Sequence, residues 1–370
     1  MMGRIETGVR FLIVAGFIAV FIFSGRRSPT HGASFFLDEV LASEADELKA
    51  AERMPESGTD DMSLSEPADD APFSETEYDT PLSESAEYVP QVEEVHITVP
   101  GMDGSCSLLW ISDLHICSGA DDPGVSAEHR EEVRERYGML QNQDGRSARE
   151  TWKKLSGQID SFGADYVIFG ADLVDYASKE NLECLQAGLE KVRTPWMYLR
   201  ADHDYGRWFG SLKLKRMRKL HRKIAPQNSL WVERFEEFTL AGLDNTTTAI
   251  AQETLDAFRR LCGEGRPIIL CTHVPFDTGS EDAKALAELS REGWGDRVLC
   301  WGSQDAYDTS SGGTMKELMD LICAPDSVVC AVLAGHLHLS WEGALTDRCV
   351  GHVFSAAYED HIGLITVSGS

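Results

Sequence analysis

The chain has 370 residues, with 61 Asp plus Glu against 34 Lys plus Arg and a formal net charge of −27. Hydrophobic residues make up 42% and charged residues 26%, the composition of an ordinary globular protein rather than a fibrous or wholly disordered one. The acidic balance argues against a nucleic-acid-binding protein, because phosphate backbones are gripped by Lys and Arg. Nine cysteines are too few for a disulfide scaffold and odd in number, and no C-x-x-C spacing exists to suggest a zinc knuckle or a thioredoxin-type motif.

Residues 1–27 read as a signal peptide or membrane anchor. Arg4 and Arg10 precede an apolar run from Phe11 to Phe23, which closes with Ser24, Gly25, Arg26 and Arg27. At 1.5 Å per residue this run covers only about 20 Å, short of the ~30 Å hydrocarbon core, and matches the apolar part of a signal peptide. No A-x-A cleavage site stands out, so an uncleaved anchor is an equal reading. The general habit of such segments places the N-terminus inside and the bulk of the chain outside the cytoplasm.

Residues 28–95 form an acidic linker. Between Asp38 and Glu94 stand 19 Asp plus Glu against Lys49 and Arg53 alone. Such a segment cannot bury enough apolar surface to offset its chain entropy, and it reads as a disordered spacer.

From His96 to residue 370 short apolar runs alternate with helical patterns, which argues an α/β domain. Strands are expected at Ser107–Ile111, Tyr166–Phe169, Trp196–Leu199, Pro267–Cys271 and Val328–Leu333, with terminal strands at 352–355 and 362–367. Helices are expected at Ala148–Phe162, Asn181–Val192 and Gln252–Cys262.

His and Asp residues recur just after these strands: Asp113-Leu-His115, Asp172-Leu-Val-Asp175, Asp202-His203-Asp204, His273 and Gly335-His336-Leu-His338. In open α/β sheets ligands bind at the carboxyl ends of strands, so these ends can converge on one site. In extended chain, alternate residues point the same way, so Asp113/His115 and His336/His338 would each offer two groups to one side. Asp-x-His alone carries no information, whereas Gly-His-x-His is expected only about 0.03 times by composition. Imidazole and carboxylate without thiolate suit Mn, Fe or Zn, and the surplus of ligands suggests two divalent ions. His31, His96, His129, His221 and His352 lack such a context.

These motifs resemble the calcineurin-like metallophosphoesterase family, whose pattern runs D-x-H, G-D-x-x-D, G-N-H-D/E, H and G-H-x-H. The resemblance covers roughly residues 100–370. It implies a four-layer α/β sandwich of two mixed β-sheets flanked by helices, with a dinuclear site at the strand ends. By the same resemblance Asp113, His115 and His338 would hold one ion, Asp172 would bridge, and Asp202, His273 and His336 would hold the other. His203, backed by Asp204, would sit beside the leaving-group oxygen, and a metal-bound hydroxide would attack the phosphoester. Two departures stand out. Ala171 and Ala201 replace glycines, which strains the backbone wherever φ is positive. Asp202 replaces Asn and adds a negative charge to the site.

A basic stretch, Lys213 to Lys223, holds seven Lys and Arg. It reads either as a patch for anionic substrate, lipid or cell-envelope polymer, or, more plainly, as a solvated helix face with Leu214, Met217 and Ile224 inward. Trp294 and Trp301, in the insertion 274–327, form either a cleft lining or a local cluster. Cys117, Cys271 and Cys330 are expected as buried thiols, at odds with an oxidising exterior.

The leading functional reading is a membrane-tethered hydrolase of phosphomonoesters or phosphodiesters. The alternative is a catalytically weakened metal-binding scaffold of the same fold, favoured by Asp202. A metallonuclease would need a positive groove, which only residues 213–223 could supply.

Overall fold

The computed structural model describes residues 88–369, apart from 208, 210–213, 227, 247–249 and 295–312. The signal or anchor segment, nearly all of the acidic linker, and Trp301 lie outside the described residues, as do the side chains of Leu214 and Trp294. Among the described residues no helix is long and apolar enough to cross a membrane.

Two mixed sheets carry the fold. The first contains β1 (Gln91–Thr98), β2 (Ser105–Ile111), β3 (Tyr166–Gly170), β4 (Trp196–Leu199) and β11 (His361–Ser368), in the order β1-β11-β2-β3-β4. The second contains β5 (Leu230–Arg234), β6 (Thr239–Leu243), β7 (Ile268–Cys271), β8 (Val329–Ala334), β9 (Trp341–Ala344) and β10 (Val350–Val353), in the order β5-β6-β7-β8-β10-β9. β2, β3 and β4 run parallel, as do β6, β7, β8 and β10, while β11 meets β2 antiparallel.

The strands are apolar on both faces because both faces are covered. Leu108 and Trp110 of β2 join Ile168, Leu240, Ile269 and Leu333 in a core between the two sheets. Leu109 and Ile111, one residue out of phase, face the other way, towards Trp152, Leu155, Leu182 and Leu185. Those four residues belong to α2 (Ala148–Leu155) and α3 (Lys179–Leu189). On the outer face of the second sheet, α6 (Gln252–Cys262) and α7 (Thr314–Cys323) supply Leu255, Phe258, Leu318 and Ile322. The result is helix, sheet, sheet, helix, as the resemblance implied.

Local chemistry explains the element ends. Ser147 and Glu150 form a capping box at the start of α2, satisfying amides that the first turn leaves unpaired. The helix expected over 148–162 breaks into α2 and a 3-10 turn, Ile159–Phe162, closed by Gly163 at φ 69°. β1 begins at Gln91, ahead of the boundary expected at His96, and pairs along its length with β11. Glu93, counted with the linker by its charge, is held there by the Ser355 amide at 3.2 Å and His361 Nδ1 at 3.2 Å.

The basic stretch forms α5 (Leu214–Ile224). Met217 and Leu220 are buried against the first sheet's outer cluster with Ile224 packed beside them. Cys117 and Cys271 are buried and Cys330 is half-buried, and all three are free thiols. His221 and His352, which no motif marked, are buried within the domain.

Candidate metal centre

The carboxyl ends of β2, β3, β4, β7 and β8 each deliver one motif. Three groups of carboxylate and imidazole result: Asp113, His115 and His338; His115, Asp172 and His203; and Asp172, His273 and His336. Within each group the donor atoms lie within 4.8 Å of one another. The first sheet contributes Asp113, His115, Asp172 and His203, and the second contributes His273, His336 and His338.

These residues do not stand on extended chain. Asp113, His115, Asp172, His336 and His338 have φ between 48° and 71°, the left-handed region. Asp and His tolerate that region better than most residues, yet each still costs on the order of 1 kcal/mol. The alternation expected from extended backbone is therefore wrong in mechanism. Side chains i and i+2 converge because both turn out of the strand, with Asp113 and His115 amides donating to the Ala171 and Asp172 carbonyls at 3.0 and 2.9 Å. Ala171, in place of the family's glycine, carries φ 75° and is strained; Ala201 at φ −127° is not.

Hydrogen bonds fix each group before any ion arrives. The Ser112 hydroxyl donates to Asp113 Oδ2 at 2.6 Å, and the His336 amide donates to both Asp113 oxygens at 3.0 and 3.1 Å. His273 Nδ1 lies 3.1 Å from the Gly170 carbonyl. A carbonyl only accepts, so Nδ1 holds the proton and Nε2 is left for the site. Asn245, which the sequence did not mark, grips the His273 loop: its Oδ1 accepts from the His273 and Val274 amides and its Nδ2 donates to the Val274 carbonyl.

Electrostatics follow from burial of so many ionisable groups together. Burial pushes the Asp113 carboxyl up, but His273 and His338 outweigh it and bring it to about 2. The same contest, won by His273 and His203, holds Asp172 well below the usual carboxylate range. Burial drives His336 down to about 3. Burial also disfavours charge on His203, yet Asp172 and Asp175 carry it up to about 10.

Two expectations need correction. Asp204 does not back His203. Its carboxylate accepts from the amides of Asp172, Leu173, Val174 and Ala201 at 3.0–3.3 Å and from the Tyr198 hydroxyl at 2.7 Å. It braces the turn that carries Asp172. The partner of His203 is Asp175, whose backbone carbonyl lies 2.8 Å and Oδ1 3.3 Å from Nδ1. Asp175 Oδ1 also stands 3.4 Å from His115 Nδ1. Its other face is clamped by Arg136 of α1 (Arg130–Met139), Nε to Oδ2 at 2.8 Å and Nη2 to Oδ1. The second correction concerns Asp202, which falls outside all three groups. It opens the short helix α4 (Asp202–Tyr205), where its Oδ1 accepts from the His203 amide at 3.0 Å. A carboxylate there satisfies a helix N-terminal donor, and its charge still bears on His203 and His273.

The donor set fits divalent cations. Buried Asp172 Oδ1 and His273 Nε2 have no hydrogen-bond partner, although His273 Nε2 stands 3.0 Å from Asp172 Oδ2. Buried polar atoms left without a hydrogen bond are costly unless a cation satisfies them.

The sequence model described as calcineurin-like phosphoesterase matches residues 107–340. The chain belongs to the calcineurin-like phosphoesterase family. Among solved structures it is similar to a dimetal phosphatase from Danio rerio, at 11% identity and a TM-score of 0.42, covering 69% of this chain and 88% of that one. It is similar also to a purple acid phosphatase from yellow lupin (Lupinus luteus) seeds, at 12% identity and a TM-score of 0.40, over 70% of this chain but only 45% of the lupin enzyme. A phosphopantetheinyl hydrolase from Mycobacterium tuberculosis matches at 12% identity and a TM-score of 0.36, over 68% of this chain and 90% of that one. No curated protein matches the chain.

Proposed function

We propose that the protein is a metal-dependent phosphoester hydrolase with a dinuclear centre. The observation that carries this reading is the chain of overlap among the three donor groups: the first and second share His115, and the second and third share Asp172. Asp113, His115 and His338 would hold one ion and His273 and His336 the other, with Asp172 between them; Asp202 would contribute its negative charge nearby. Two divalent ions in such a centre, of Mn, Fe or Zn, lower the pKa of water and stabilise charge on phosphoryl oxygens.

The chain's own residues do the rest. The Asp175 carbonyl keeps a proton on His203 Nδ1, and the Asp175 carboxylate favours the imidazolium. His203 therefore meets a departing oxygen as a proton donor or as a positive charge at rest. Asp204 and Asn245 hold the Asp172 and His273 turns in place. The substrate is a phosphoester, mono- or diester.

Placement at a membrane, with the catalytic domain outside the cytoplasm, is supported by the apolar run Phe11–Phe23 and the acidic segment behind it. Fractionation of intact cells tests it, and recovery of all the protein in the soluble cytoplasmic fraction would refute it.

The test of function is metal analysis of the purified protein with turnover of generic mono- and diesters under Mn, Fe and Zn. Wild-type protein should carry close to two ions and turn over, whereas Asp172→Ala and His336→Ala should lose metal and activity together. Full metal content without turnover, with activity gained in Asp202→Asn at saturating metal, would establish the weakened scaffold instead.

A further inference from the structure

α5 is the one strongly basic element in an acidic chain, and the phosphoesterase reading leaves it unused. Lys215, Arg216, Lys219, Arg222 and Lys223 are exposed and Arg218 is half-buried. At 3.6 residues per turn the six cations fall on an arc of about 160°. Met217, Leu220 and His221 are buried on the opposite side. Among the described residues, no carboxylate pairs with Lys215, Arg218, Lys219, Arg222 or Lys223 within 4.0 Å. α3 packs against α5, but its Glu183 is already paired with its own Lys179 at 3.2 Å.

The helix is fastened to the catalytic turn. His221 Nε2 lies 2.8 Å from the Asp204 carbonyl. The Arg200 guanidinium donates to the carbonyls of His221, Ala225 and Pro226 at 3.1–3.3 Å, which closes the C-terminal end of α5. Asp204 and Arg200 lie close to His203 in sequence, so these bonds tie α5 to the His203 turn.

We propose that the outward face of α5 docks on an anionic phospholipid bilayer. Five of the six cations on this arc have no carboxylate neighbour among the described residues, the charge pattern that anionic headgroups attract. The remaining negative charge does not cancel it, because at physiological ionic strength charges beyond ~8 Å are screened. A bilayer is favoured over nucleic acid on two grounds. The arc carries no aromatic side chain on which a base could stack, and the same chain carries the apolar run Phe11–Phe23, a membrane-seeking element. The inference does not depend on catalysis.

The experiment is flotation of the full-length protein with vesicles of phosphatidylcholine alone or with about three parts in ten phosphatidylglycerol. The neutral vesicles report whatever binding the apolar run contributes by itself. We expect at least tenfold stronger binding to the anionic vesicles, with the preference shrinking as salt rises from ~0.05 to ~0.3 M. Lys215→Gln/Lys219→Gln/Lys223→Gln should cut that preference at least fivefold while leaving neutral-vesicle binding and the far-ultraviolet dichroism unchanged. Should that variant misfold, Arg222→Glu alone should cut the preference at least twofold. Equal binding to both vesicle types, an unchanged preference in folded variants, or tighter binding to duplex RNA than to anionic vesicles would each overturn the proposal.

Discussion

Asp175, not the adjacent Asp204, is the partner of His203, with its carbonyl 2.8 Å and its carboxylate 3.3 Å from Nδ1. Chain neighbours are poor guides in this turn. α4 aims Asp204 back at the Asp172 amides, while Asp175 arrives from the end of β3. The two acids should therefore fail differently. Asp175→Asn should lower kcat at least tenfold, the usual cost of losing a histidine's supporting carboxylate, and should also cost stability because it breaks the Arg136 clamp. Asp204→Asn brings an NH2 where donors need an acceptor and should cost at least ~2 kcal/mol of stability. Urea melts and steady-state kinetics on both variants decide it. Lost turnover in Asp204→Asn at unchanged stability would restore Asp204 as the partner.

Gly335 lets the two sheets approach closely at the centre. A Cβ there would stand 2.2 Å from Asp113 Oδ2 and 2.6 Å from Ser112 Oγ, so the residue opening the Gly-His-x-His motif is glycine because the Asp113 carboxylate lies against it. Gly335→Ala should push Asp113 aside and weaken metal binding at least tenfold while circular dichroism still reports a folded domain. Titration of the metal-free protein measures this, and unchanged affinity would show that the turn yields instead.

His352 gives a pH signature away from the centre. It is 2% exposed with neither ring nitrogen hydrogen-bonded, and burial lowers its pKa to about 4. Below about 6.5 the unfolded chain takes up a proton that the folded one refuses until near 4. Stability is therefore lost as pH falls through that window, by about 2 kcal/mol at pH 5 from this residue. His352→Leu should remove that loss, which urea midpoints at pH 7 and pH 5 measure. An equal drop in both proteins would mean that the ring finds a partner when charged.

Much of this was legible in the residues. Strands buried on both faces read as apolar runs, and β4 falls where expected, at Trp196–Leu199. The site's order along the chain followed from His and Asp at strand ends. β1 was hidden because Glu93 and Glu94 made it look like linker, and only its pairing with β11 explains it. The β5–β6 hairpin and α1 carry no clean period, so Arg136 and Asn245 reached the centre unannounced. Left-handed backbone at Asp113 and His115 leaves no mark in composition, since it is imposed by hydrogen bonds to the Ala171 and Asp172 carbonyls.

The place of β11 has a consequence for how the chain assembles. It lies between β1 and β2, with Gly363 opposite Trp110 and Gln91 opposite His361. These partners are about 250 residues apart, so the pairing that completes the first sheet is among the slowest to find. While the ribosome is still making residues after 170, β2 has β3 as a neighbour on one side and nothing on the other. An open apolar edge of that kind invites the wrong strand. The nascent domain is then open to mispairing until β11 emerges, and a chain stopped before His361 would carry its His and Asp motifs on a sheet that cannot close.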